Sequence, residues 1–121
     1  MTKRLWFLFL TSLLLATACA SFPPPTERLT TTEAAIRGAS EVGAAQIPRA
    51  ALHLKLAEEQ TDKARRLMQD GYNERAEFTL KRAQADAELA IALAKEKATV
   101  DKAEAAKAKT EQLKATVSKP Q

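Results

Sequence analysis

The chain has 121 residues, 45% of them hydrophobic but only 5% aromatic, with 19 basic against 15 acidic side chains and a net charge of +4. That length fits one small domain, and so few large side chains argue against a thick globular core and for an extended helical shape. One cysteine cannot make an internal disulfide, and one histidine leaves no His/Cys cluster for zinc.

Lys3 and Arg4 precede an apolar run, Leu5–Leu10 and Leu13–Leu15, which ends in small residues. A basic start, a short apolar core and small residues before a cut site predict a secretory signal peptide over residues 1–18. The run is too short to span a bilayer, which takes roughly 20 apolar residues, and no later stretch comes near it. Ala16-Thr17-Ala18 ahead of Cys19 is similar to a bacterial lipobox, with Ala16 standing where Leu is most common. The resemblance implies diacylglyceryl transfer to the Cys19 sulfur, cleavage between Ala18 and Cys19, and acylation of the new amino group. The simpler alternatives are ordinary cleavage after Ala18 or a free thiol. Several acyl chains anchor far more firmly than one. Ala20, rather than Asp, at the second mature position points by the enterobacterial sorting rule to the outer membrane, with the protein facing the periplasm.

Removal of residues 1–18 leaves 103 residues with 17 basic and 15 acidic side chains, a net +2. The basicity is therefore partly a targeting feature, and nucleic-acid binding loses its main support. Trp6, Phe7 and Phe9 leave too, so the mature aromatics are Phe22, Tyr72 and Phe78.

Residues 19–29 read as the acylated cysteine and a tether in which Pro23-Pro24-Pro25 favours polyproline II, a stiff spacer lifting the body off the bilayer. A first helix is expected from Thr30, because Thr30 and Glu33 have capping-box spacing. Its apolar stripe is Leu29, Ile36, Ala39 and Val42, with Gly43 as C-cap and Pro48 confirming the break. Gly38 weakens it by up to about 1 kcal/mol relative to Ala.

Pro48 suits the first turn of a second helix. Its seam is Ala50, Leu54, Ala57, Thr61, Ala64 and Met68, widened by Leu56 and Leu67. Asp70-Gly71 stops it, Tyr72 is expected to pack over the end, and Asn73 is a good N-cap for the next helix. So short a turn makes the two neighbours antiparallel. The third helix, Glu74 to Thr116, carries the matching seam Ala76, Leu80, Ala83, Ala87, Ala90 and Ala94, with Leu89, Ile91 and Leu93 beside it. At 1.5 Å per residue it would run roughly 64 Å against about 32 Å for the second, so half must overhang. The fold class is thus all-α: an antiparallel hairpin with a long C-terminal helix and a shorter N-terminal helix, held by a Pro-rich linker. The helical domain is residues 30–94, and residues 95–121 form a Lys/Ala-rich extension with seven Lys, four acids and a net +3. Its seam of Ala98, Asp101, Ala105, Ala108, Gln112 and Ala115 is small and interrupted, and supports only weak self-association.

From about Pro25 to Ala94 the pattern resembles a bacterial lipoprotein domain, domain of unknown function family 4398. The matching features are the lipobox, Ile47-Pro48, Asp70-Gly71-Tyr72-Asn73-Glu74-Arg75-Ala76 and Asp86-Ala87-Glu88-Leu89-Ala90. The acid that usually lies between the turn's Gly and Tyr is missing here. Members are often joined to an OmpA-like peptidoglycan-binding domain, which this chain lacks. The resemblance implies an address and a shape, and no established activity. The turn and its flanks also look like one tetratricopeptide unit, but no second copy follows and about three are normally needed.

Side-chain chemistry is sparse. His53 reads as a partly exposed helix residue. Asp86 and Glu88, two apart, face different ways and make a poor acid–base pair. Arg65-Arg66 suits the helix C-terminal dipole. No phosphate loop and no nucleophile–base arrangement is visible, so no enzyme, metal or cofactor is expected beyond the lipid on Cys19. The expected role is a non-catalytic envelope lipoprotein acting as a structural or protein-interaction module. The alternatives are a non-covalent tether between outer membrane and peptidoglycan, or a carrier of hydrophobic cargo. The ending Lys119-Pro120-Gln121 departs from the C-terminal Lys by which small Ala-rich helical lipoproteins are covalently linked to peptidoglycan. A carrier needs an apolar cavity that this Ala-rich chain is poorly equipped to line.

Overall fold

Alanine spacing sets the architecture, because alanines at every third or fourth position let helix axes approach closely. The computed structural model describes residues 22–118. The signal peptide, the Ala18–Cys19 cleavage and lipidation site, Ala20 and the final Lys119-Pro120-Gln121 lie outside the described residues. The protein is all-α: α1 (Thr26–Glu41), a 3₁₀ turn η1 (Ala44–Gln46), α2 (Pro48–Gln69) and α3 (Asn73–Val117), with no strand among the described residues. Helices α2 and α3 form the antiparallel hairpin, and α1 lies against it in an up-down-up arrangement. Thr32 meets Leu80, and Gly38 meets Ile91, so α1 runs parallel to α3.

The seam is the predicted one. Ala50, Leu54, Ala57, Thr61 and Ala64 of α2 are buried against Ala76, Leu80, Ala83, Ala87, Ala90, Leu93 and Ala94 of α3, and Met68 is half-buried. One cluster under η1 gathers Ala39, Ala44, Ala50, Leu54, Ala90, Leu93 and Ala94. The other, near the α2–α3 turn, gathers Ala64, Ala76 and Leu80 under Leu29, Leu67 and Met68. The two buried threonines satisfy their hydroxyls on carbonyls: Thr61 Oγ1 donates to Ala57 O at 2.7 Å and Thr32 Oγ1 to Arg28 O at 2.8 Å. Thr32, absent from the predicted stripe, is fully buried, whereas Val42 is exposed. Val42 is the C-cap of α1, past the last turn that faces the hairpin.

Both turns close on glycine in the left-handed region. At Gly71 (φ +80°), Gly71 N–H donates to Met68 O at 3.1 Å and Tyr72 N–H to Leu67 O at 2.8 Å, the paired bonds of a Schellman motif. Gly43 (φ +79°) donates to Ser40 O at 3.0 Å. Pro48 occupies the first turn of α2, where it has no hydrogen bond to lose.

The start of α1 differs from expectation. The helix begins at Thr26, not Thr30, so Thr26–Leu29 belongs to the helix and not to a spacer. Thr30 Oγ1 donates back to Thr26 O at 3.1 Å, and the Glu33 carboxylate accepts from Arg65 on α2, so the capping box does not form. Pro23 and Pro24 are exposed, and only the third proline is docked. Pro25 is buried, and its carbonyl accepts the first helical bond from Leu29 N–H at 3.0 Å.

Glycine substitutions check these assignments in opposite directions. A Cβ at Gly38 would make ordinary 3.7 Å contact with Ile91 Cδ1, so Gly38→Ala should stabilise by about 0.5–1 kcal/mol. A Cβ at Gly71 would meet nothing within 4 Å, yet the left-handed backbone makes Gly71→Ala cost about 1–2 kcal/mol. Urea titrations followed by circular dichroism read both, and a destabilised Gly38→Ala protein would contradict this packing of α1.

Candidate interaction surface

The long helix outruns its partners. Over 45 residues α3 extends about 68 Å, and α2 over 22 residues about 33 Å. Burial along α3 ends at Ala94, opposite the start of α2 at Pro48, and every residue from 95 to 118 is exposed. The predicted overhang is therefore present as helix. It is held by its own local bonds: Lys97 pairs with Asp101, Lys114 with Glu111 at 3.2 Å, and the Thr99 and Thr110 hydroxyls donate to carbonyls four residues back. Asp101 holds the Lys97 ammonium above its usual range. Val100, Leu113 and Val117 lie exposed along it, among six lysines and four acids. At its base an open groove of about 310 Å³ runs between Ile47, Pro48 and Arg49 on one side and Leu93, Glu96, Lys97 and Val100 on the other.

Polar side chains set the register of the bundle. Asp86 on α3 engages α2 with both oxygens, Oδ1 with His53 Nδ1 at 2.9 Å and Oδ2 with Gln60 Nε2, which donates at 2.7 Å. Glu88 instead accepts from Gln84 on its own helix at 2.8 Å, so the two carboxylates face apart as their spacing implied. Arg65 departs from the helix-dipole role. Its Nη2 donates to Glu33 Oε1 of α1 at 2.8 Å, and its Nη1 pairs with Asp62. The Glu33 hydrogen bond, with Asp62 adding, holds the guanidinium above its usual range. Arg28 on α1 reaches Glu77 and Gln84 on α3, each at 3.2 Å. The Asp86, Arg65–Glu33 and Arg28 pairs join helices, and among the described residues no three His, Cys, Asp or Glu side chains gather as a metal site.

The turn residues act differently from their sequence assignments. Asn73 makes no cap bond. It is the first residue of α3, and its Nδ2 donates at 2.8 Å to the carbonyl of Phe22. Tyr72 does not cover the hairpin end. It is exposed, with the Arg75 guanidinium 5.6 Å from its ring centre. The backbone of Gly71 closes the turn instead.

The family profile described as Domain of unknown function (DUF4398) matches residues 27–108. The chain belongs to this family. Its DUF4398 segment takes in α1, the hairpin and the first turns of the projecting half of α3, beyond the boundary at residue 94 that seam strength had suggested. No curated protein and no solved structure matches the chain.

Proposed function

We propose that this DUF4398 protein is a non-catalytic, lipid-anchored protein of the outer membrane that faces the periplasm, and that the projecting half of α3 docks another envelope protein. The exposure of every residue from 95 to 118 carries the reading. A helix of that length gains nothing from the rest of the chain, and helices of marginal intrinsic stability are usually completed by packing. Its exposed Val100, Leu113 and Val117 offer apolar contact, and its lysines and acids offer charge complementarity. The lipobox resemblance at Cys19 supports the address, and no helix among the described residues is long and apolar enough to cross a membrane.

The six lysines of the extension favour a second reading, non-covalent contact with peptidoglycan or anionic lipid. A cargo carrier is disfavoured, because the described helices close on alanines and the groove at the base of the extension is open.

Crosslinking in the intact envelope followed by mass spectrometry tests the docking reading. The full chain should give crosslinks to another protein through Lys102, Lys107, Lys109 or Lys114, and deletion of residues 95–121 should abolish them. Recovery of self-crosslinks alone would sink it. Peptidoglycan pull-down that depends on residues 95–121 would move the assignment to the tether.

A further inference from the structure

The chain enters the bundle at the α2–α3 turn. Asn73 Nδ2 holds the Phe22 carbonyl at 2.8 Å, and Pro25 is buried at the start of α1. Cys19 is three residues before Phe22, so whatever conformation those residues take, the sulfur-bearing residue lies within about 11 Å of Phe22 by chain length alone. The turn end and the anchored end are therefore the same end. The projecting half of α3 leaves from the opposite one.

Every aromatic residue downstream of Cys19 is at that end and exposed: Phe22 at 44%, Tyr72 at 55% and Phe78 at 56%. Phe78 lies about 8 Å along α3 from Asn73, within the depth of a headgroup layer. The tyrosine ring, with one wet edge, favours that layer, and the two phenylalanines add apolar area that an interface can cover. The charged residues around the turn, Arg66, Asp70, Glu74 and Arg75, are exposed and balance in sign, so attraction to anionic lipid is not the driving contribution.

The geometry points to the α2–α3 turn end, through Phe22, Tyr72 and Phe78, as a surface that rests in the bilayer interface and stands α3 away from the membrane. This rests on the lipid-anchored reading of Cys19 and specifies how such a protein is oriented. The Phe22 carbonyl on Asn73 and the buried Pro25 then hold the body close to the bilayer instead of letting the segment lift it off. Val117 stands up to about 68 Å from the turn end, which places the docking half of α3 deep in the periplasm.

The test uses the acylated full chain in phosphatidylethanolamine–phosphatidylglycerol vesicles carrying a spin label in the headgroup region. Trp6 leaves with the signal peptide, so an introduced Trp is the only indole in the mature protein. Tyr72→Trp and Phe78→Trp should shift to the blue and lose most of their emission to the label, equally at low and high salt, whereas Leu113→Trp should keep its emission. Tyr72→Trp emission that matches Leu113→Trp in the acylated protein overturns the inference and leaves the anchor intact. Intact mass separates the two failures: a chain with no acyl mass on Cys19 removes the lipoprotein reading, and this orientation with it. A Tyr72→Trp indole shielded from lipid in native envelopes would assign the surface to a protein and also overturn the proposal.

Discussion

A Cys19→Ala protein is expected to lose its acyl label and to move from the membrane fraction to the soluble fraction. Each buried methylene of an acyl chain contributes about 0.8 kcal/mol, and one chain alone binds only marginally. Anchoring on the proposed scheme therefore comes from several chains on one residue. The described residues have little to replace them. No described helix crosses a membrane, and three exposed aromatics supply contact rather than retention. Fractionation with metabolic acyl labelling reads the result, and an unchanged membrane fraction would overturn the lipoprotein claim. The bundle itself should stay folded, because its buried residues run from Pro25 to Ala94 and pack on one another.

Leu80→Ala should produce the largest loss of stability from a single side chain. Leu80 is the largest completely buried side chain among the described residues, and it sits where all three helices meet, under Leu29, Leu67 and Met68. Removing it loses transfer free energy and leaves a void that alanine neighbours cannot fill, a cost of about 2–5 kcal/mol. In a domain this small that lowers Tm by about 10 °C or more. Leu113→Ala, on the exposed extension, should stay within about 0.5 kcal/mol of the parent. Thermal unfolding followed at the helix signal compares the two, and equal shifts would contradict the assignment of a core near the turn and a free half of α3.

The seams of α2 and α3 could be read directly from residue order. Ala50 to Ala64 and Ala76 to Ala94 repeat at three and four residues, and an α-helix brings such positions to one face whatever else the chain does. Pro48 and Gly71 were equally plain, because their backbone constraints act where they stand. The end of burial at Ala94 followed from comparing helix lengths. The start of α1 is not legible in residue order, because Thr30 and Glu33 have the spacing of a cap while their side chains find other partners: the carbonyl one turn back and an arginine on another helix. Thr32 does not stand out in the sequence, since a threonine carries a weak apolar signal, and only its bonds to carbonyls make it a core residue.

What remained hidden shares one physical character. Arg28 with Glu77, His53 with Asp86, and Asn73 with the Phe22 carbonyl are separated by 49, 33 and 51 residues in the chain. Helical periodicity and turn chemistry act within a few residues, so residue order alone determines the helices, their apolar faces and their stops. Pairings across tens of residues depend on how three rods settle against one another. The same settling decides which end of the bundle receives the proline segment. That tertiary choice turns a spacer into a clasp and places the start of α1 opposite the free half of α3.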